Sequence, residues 1–148
     1  MGFGSIVVAV DGSEATNEAL DHAVFLARNQ QAGLLGIFVV DSKWPDFIGN
    51  DWQSARGARQ GFLDYIRREQ EEQAELARSQ FSLASQGMEG AVFSVHAGDP
   101  ASVLVAQTGT AGILLASRRV FQVSGRPSLR SLAATLAKKA LCPLMLFP

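Results

Sequence analysis

The chain has 148 residues, 47% of them hydrophobic, and a formal net charge of −1. That length suits one domain, 1–148, with a core of useful size, and no apolar run approaches the roughly 20 residues that a membrane helix needs. A single cysteine excludes an internal disulfide; with no charged-then-apolar leader at the start, the expected setting is the reducing cytoplasm.

The charge is unevenly placed. Residues 1–99 hold all 14 acidic residues and 7 of the basic ones, whereas residues 100–148 hold no Asp or Glu and 6 basic residues: Arg118, Arg119, Arg126, Arg130, Lys138 and Lys139. The last third therefore carries a positive potential. The two lysines suit the last turn of a helix, where cations favour the dipole. The four arginines need another explanation.

Ser5 to Val10 opens the pattern. Five apolar residues in a row, three of them valine, read as a strand buried on both faces. Asp11-Gly12 turns the chain, and Ser13 is placed to cap a helix whose apolar positions recur at Ala15, Ala19, Ala23 and Ala27. Asp11 thus stands at the carboxyl end of a strand, where open parallel sheets gather their ligands. The helix runs to about Gln30, and Gly36 to Val40 forms a second buried strand closing on Asp41.

Residues 41–57 lack periodicity and read as a long surface loop, loaded with Trp44, Phe47, Ile48 and Trp52. Such loops are functional or mobile; this one is either a satellite cluster at one end of the sheet or a lid. A long helix follows, from about Ala58 to Ser85. Its apolar stripe breaks at 67–73, which reads as a solvated charged face that lets the first part of the helix stand off the sheet.

Ala91 to Ala97 is a third strand. Asp99 caps a short helix with Pro100 in its first turn, and Ile113 to Ala116 is a fourth strand. An irregular segment, 117–127, leads into a helix from about Ser128 to Ala140, and Pro143 to Phe147 makes a fifth strand. The order β-α-β-α-β-α-β-α-β implies an α/β fold with a parallel sheet covered by helices on both faces.

Several chemistries fail on spacing. The glycines of a dinucleotide fingerprint should follow the first strand, but Gly2 and Gly4 precede it. No P-loop and no Gly-x-Ser-x-Gly elbow occurs. A receiver-type acid cluster around Asp11 is missing too. His22, His96 and Cys142 show no metal-ligand spacing; His96 reads as a structural strand residue and Cys142 as a small packed hydrophobe.

Val8 to Ser13, Val39-Val40-Asp41, Ala97 to Pro100, Ala116-Ser117-Arg118 and Cys142-Pro143, in that order, resemble the universal stress protein family. The resemblance implies strand order 3-2-1-4-5 and a homodimer paired through the last strand, here Leu144, Met145, Leu146 and Phe147. Some members of that family bind ATP through a motif of Gly, two residues, Gly, nine residues, then Gly followed by Ser or Thr. Its glycines let backbone N–H groups close on phosphates.

At the matching positions this chain has Ala116, Arg119 and Arg130 before Ser131, with ten intervening residues instead of nine. Ala9, Val10, Asp11 and Val39, toward the adenosine end, are retained. With Ser117 and Arg118 these complete the candidate binding set. One expectation is a non-catalytic stress-response protein without a cofactor, acting as a homodimer through protein contacts, with no nucleic-acid or membrane partner. The alternative is a binder of ATP, AMP or another anionic small molecule, with arginines replacing the glycine cradle. The two separate on whether Arg118, Arg119, Arg126 and Arg130 converge on the Asp11 mouth.

Overall fold

The computed structural model describes residues 4–52, 57–122, 126–127 and 131–148. Five strands, β1 (Ser5–Ala9), β2 (Gly33–Asp41), β3 (Ala91–Gly98), β4 (Ile113–Ser117) and β5 (Leu144–Phe147), form one sheet in the order β3-β2-β1-β4-β5. All four pairings are parallel; β1 lies between β2 and β4, with Val7 opposite both Leu35 and Leu114. Parallel strands need crossover connections, and the helices that make them cover both faces. Ile6, Val8, Ala9, Leu114, Leu115 and Ala116 accordingly lose all contact with solvent.

The helices are α1 (Asn17–Gln30), α2 (Trp44–Ile48), α3 (Ala58–Ala84), α4 (Pro100–Gln107) and α5 (Leu132–Lys139). α1 packs on β1, β4 and β5, and α3 on β2 and β3; α4 and α5 lie against each other, α4 on β2 and β3 and α5 on β5. Strand alternation separates the two layers. Phe93 meets the ring of Phe81 on α3, whereas a Cβ at Gly98 would meet Val103 on α4. On the α3 side, Phe81 lies directly over Gly36, where an added Cβ would come within 2.4 Å of the ring. A bare backbone at Gly36 is what lets the helix sit this close.

The expected helix after β1 is in two parts. A 3₁₀ turn, Glu14–Thr16, precedes α1, and the Ser13 side chain does not cap it. Its hydroxyl donates instead to Asp11 Oδ1, 2.7 Å away. Asp99 does cap α4, its Oδ2 accepting from Ser102 N at 3.0 Å with Pro100 following. α5 is capped by Ser131, whose hydroxyl accepts from Ala134 N; the 128–130 part of the expected helix lies outside the described residues. Lys138 and Lys139 occupy its last turn.

The described part of the 41–57 stretch, which leaves out 53–56, is not structureless. Pro45 sits in the first turn of α2, whose Trp44 meets both Phe47 and Phe62, while Trp52 stacks on Phe62 at 6.2 Å. The aromatic load makes a satellite cluster on the start of α3.

In the polar run 67–73 the charged residues Arg67, Arg68, Glu71 and Glu72 are exposed as expected, but the buried stripe is not interrupted there. Gln70 is 4% exposed, and with Gln73 and Gln80 it lies on the same helical stripe as Ala77 and Phe81. The stripe continues through this run with amides in place of hydrocarbon.

Candidate functional site

Three neighbouring strands each end on an acid. Asp11 follows β1, Asp41 closes β2 and Asp99 follows β3, so the order β3-β2-β1 sets them side by side at one edge of the sheet. α3 fixes the backbone there. Gln80 Oε1 accepts from Gly12 N at 3.0 Å, its Nε2 donates to Ser13 O at 2.8 Å, and Gln73 Nε2 donates to Asp11 O.

The Asp11 carboxylate is 1% exposed. Its Oδ1 accepts from Ser13 N at 2.9 Å and from the Ser13 and Thr16 hydroxyls at 2.7 Å each. Its Oδ2 accepts from Phe121 N at 2.9 Å. An ionised carboxylate offers about two lone-pair sites on each oxygen; three donors of the chain crowd Oδ1 and one, Phe121 N, meets Oδ2.

Phe121 gets there because the chain folds back after β4. Val120 N donates to Ser117 O and Gln122 N to Arg119 O. Phe121 takes a left-handed φ of +64°, an uncommon conformation for a bulky residue. Its ring is 4% exposed and lies edge-on to Phe38, with centroids 5.6 Å apart.

Arg126 joins the other two acids. Its Nε donates to Asp41 Oδ1 and Oδ2 at 2.9 and 2.7 Å, and its Nη2 to Asp99 Oδ1 at 2.8 Å. Asp41 is almost wholly buried, with a side-chain exposure of 3%. Burial pulls the Arg126 pKa down, but bonding and charge from Asp41 and Asp99 outweigh it and the net shift is upward. For Asp99, burial raises the pKa; the Ser102 amide and hydroxyl and the Arg126 guanidinium outweigh that and hold the carboxyl below its ordinary 3.8. Charge-assisted bonds of this kind are the stronger ones.

Beside this clasp an open groove of about 1470 Å³ runs between α4 and α5, lined among others by Arg118, Phe121, Ser131, Lys138 and Lys139. Arg118, Lys138 and Lys139 form no ion pair among the described residues. The groove's two acids, Asp41 and Asp99, are the ones held by Arg126.

The sequence candidates thus divide. Ala9, Val10, Val39 and Ala116 are core residues, 0–1% exposed. Ser117 is buried, its hydroxyl accepting from Arg119 N and donating to Pro148 O. Arg118 faces the groove, Arg119 is exposed, and Arg130 lies outside the described residues. Among the described residues, Arg126 is the arginine that reaches the row of acids.

Sequence reasoning missed Phe121, Thr16 and the pairing of Arg126 with Asp41 and Asp99. The usable signal was an acid at each of three consecutive strand ends, which calls for a cation from elsewhere. Among the described residues no group of His, Cys, Asp and Glu is placed to hold a metal ion, and no helix is long and apolar enough to cross a membrane.

The family profile described as Usp, universal stress protein family, matches residues 2–148. No curated protein sequence matches the chain. Among solved structures, the universal stress protein UspA from Lactobacillus plantarum is 18% identical with a TM-score of 0.74, covering 100% of this chain and 99% of its own. A universal stress protein family member from Burkholderia pseudomallei is 25% identical, TM-score 0.59, covering 98% and 96%. The universal stress protein from Archaeoglobus fulgidus in complex with dAMP is 21% identical, TM-score 0.58, covering 100% of both.

Proposed function

Because this chain belongs to the universal stress protein family, we propose that it is a non-catalytic, cytoplasmic stress-response protein that acts as a homodimer through protein contacts and does not bind ATP. One observation carries the last point. Each backbone N–H from Arg118 to Gln122 already has an acceptor inside the chain: Phe147 O, Ser117 Oγ, Ser117 O, Asp11 Oδ2 and Arg119 O. A phosphate cradle needs free, converging N–H groups. The residues present do not fit a bound triphosphate, in keeping with the loss of all three motif glycines at Ala116, Arg119 and Arg130.

The dimer rests on β5. Its inner edge pairs with β4, and no strand pairs with its outer edge among the described residues. Leu144, Met145, Leu146 and Phe147 bear no charge, and an open apolar edge invites pairing with a second copy about a two-fold axis.

A second reading has its own observation. Arg118, Lys138 and Lys139 line one groove, which suits a small anion such as AMP or inorganic phosphate. A thermal-shift series with magnesium ATP, AMP and phosphate separates the two, since a ligand that binds only the folded state raises the midpoint. The first reading expects little shift with any of them at millimolar concentration. A low-micromolar dissociation constant for ATP by calorimetry overturns it. A shift with AMP or phosphate that Arg118→Ala abolishes selects the second.

A further inference from the structure

The row of acids is met by the chain as a ligand would meet it. Phe121 presents an N–H donor to the buried Asp11 carboxylate and an aromatic ring to Phe38, while Arg126 bridges Asp41 and Asp99. An aromatic base carrying an amino group would offer the same pair of features, a donor for Asp11 and a ring edge for Phe38. We propose that Phe121 and Arg126 form an internal pseudo-ligand, an autoinhibitory contact that occupies the strand-end mouth and must be displaced before an amino-bearing nucleoside monophosphate can enter. The inference rests on the reading above and supplies its cause: the mouth is filled, and the base end beneath it is intact.

The two contacts differ in character. Phe121 is held in a left-handed conformation that a bulky side chain resists. Glycine adopts that φ freely, so the position is occupied at a conformational cost that the ring's burial and the Asp11 bond offset. Arg126 is anchored to two carboxylates at once, and its side chain remains 21% exposed. Both carboxylates have second partners, Lys43 N on Asp41 and Ser102 on Asp99, so neither is left without a donor when the guanidinium departs. Under this proposal the two contacts release by a local opening rather than by global unfolding.

The population of the open form then sets the apparent affinity. A site competent in about 1% of molecules binds about a hundredfold more weakly than its open form does. Phe121→Ala removes the ring and leaves a Cβ at a φ that disfavours it, so the N–H leaves Asp11 more readily; Arg126→Gln removes the charge and keeps a donor. Calorimetric titration with AMP compares the intact chain with both single variants and the double variant. The expected result is AMP affinity at least about tenfold tighter in the double variant, with each single variant between. Variants that melt cooperatively but bind AMP no more tightly than the intact chain overturn the proposal.

If a variant fails to fold, hydrogen exchange at the Phe121 amide of the intact chain decides the matter. Without ligand, that amide must exchange through a local opening, with protection well below that of the β1 amides, and protection equal to theirs counts against displacement. The preceding reading fails separately, through tight ATP binding by the intact chain, whereas this one is judged on the ratio of variant to intact affinity.

Discussion

Gln70 on α3 holds the backbone of Asp41 from both directions: Asp41 N donates to Gln70 Oε1, and Gln70 Nε2 donates to Asp41 O at 3.3 Å. Both groups lie at the end of β2, past the ladder to β1, which ends at the Ala9–Ile37 pair, while the pairing with β3 still reaches Asp41 opposite Gly98. The Gln70 amide takes the place of a neighbouring strand for the Asp41 backbone and fixes the residue whose carboxylate Arg126 clasps. In this fold the helix contributes to the mouth by its polar residues as much as by its apolar ones.

Replacing Gln70 with leucine keeps the volume and removes both bonds. A buried donor and acceptor left unsatisfied cost about 1–3 kcal/mol. The urea midpoint should fall accordingly with an unchanged slope, because the surface exposed on unfolding stays the same. A midpoint within error of the parent would show that water satisfies the Asp41 backbone.

Gly36→Ala tests the close approach of α3. The new Cβ would lie 2.4 Å from the Phe81 ring, and overpacking of this kind costs about 1–3 kcal/mol. Gly33→Ala, in the same strand with nothing within 4 Å, is the matched control and should be nearly neutral. Equal effects at the two positions would mean that the ring moves aside freely.

The clasp predicts a dependence on acid pH. The Asp99 carboxyl is held below its ordinary 3.8, so the folded state releases this proton more readily than the unfolded state. Its contribution is therefore present in full above the unfolded pKa and is lost as pH falls through the lower folded value. Between mildly acidic pH and pH below 3.8, the melting temperature of the intact chain should fall further than that of Asp99→Asn. Parallel acid limbs would show that Arg126 and Ser102 do not favour the ionised form.

Met145→Lys tests the dimer. A lysine on β5 places a charge on an apolar edge and opposes edge-to-edge pairing. Light scattering should give a dimer for the intact chain at micromolar concentration, and a monomer or loss of solubility for the variant. A soluble variant dimer of unchanged affinity would move the interface off β5, with α3 as the next candidate.

Much of this molecule is legible in one dimension because its signals are local. Ile6 to Val10 reads as a doubly buried strand whatever packs on it, since a continuous apolar run is stable only under cover on both faces. Asp99 followed by Pro100 marks a helix start through the chain's own stereochemistry. The alternation of such elements implies the parallel sheet, and Asp11 at a strand end marks the mouth.

What the mouth contains is decided between residues far apart in the chain. Asp11 and Phe121 are separated by 110 positions and Asp41 and Arg126 by 85, and nothing in the periodicity of either segment announces the pairing. Gln70 and Gln73 read as parts of a polar face until the sheet is laid against α3, because an amide's partner is set by position in space and not by neighbours in sequence. The arginines show the same division: composition places a positive charge somewhere in the last third, and the folded chain selects Arg126 for the acids and leaves Arg118 to the groove.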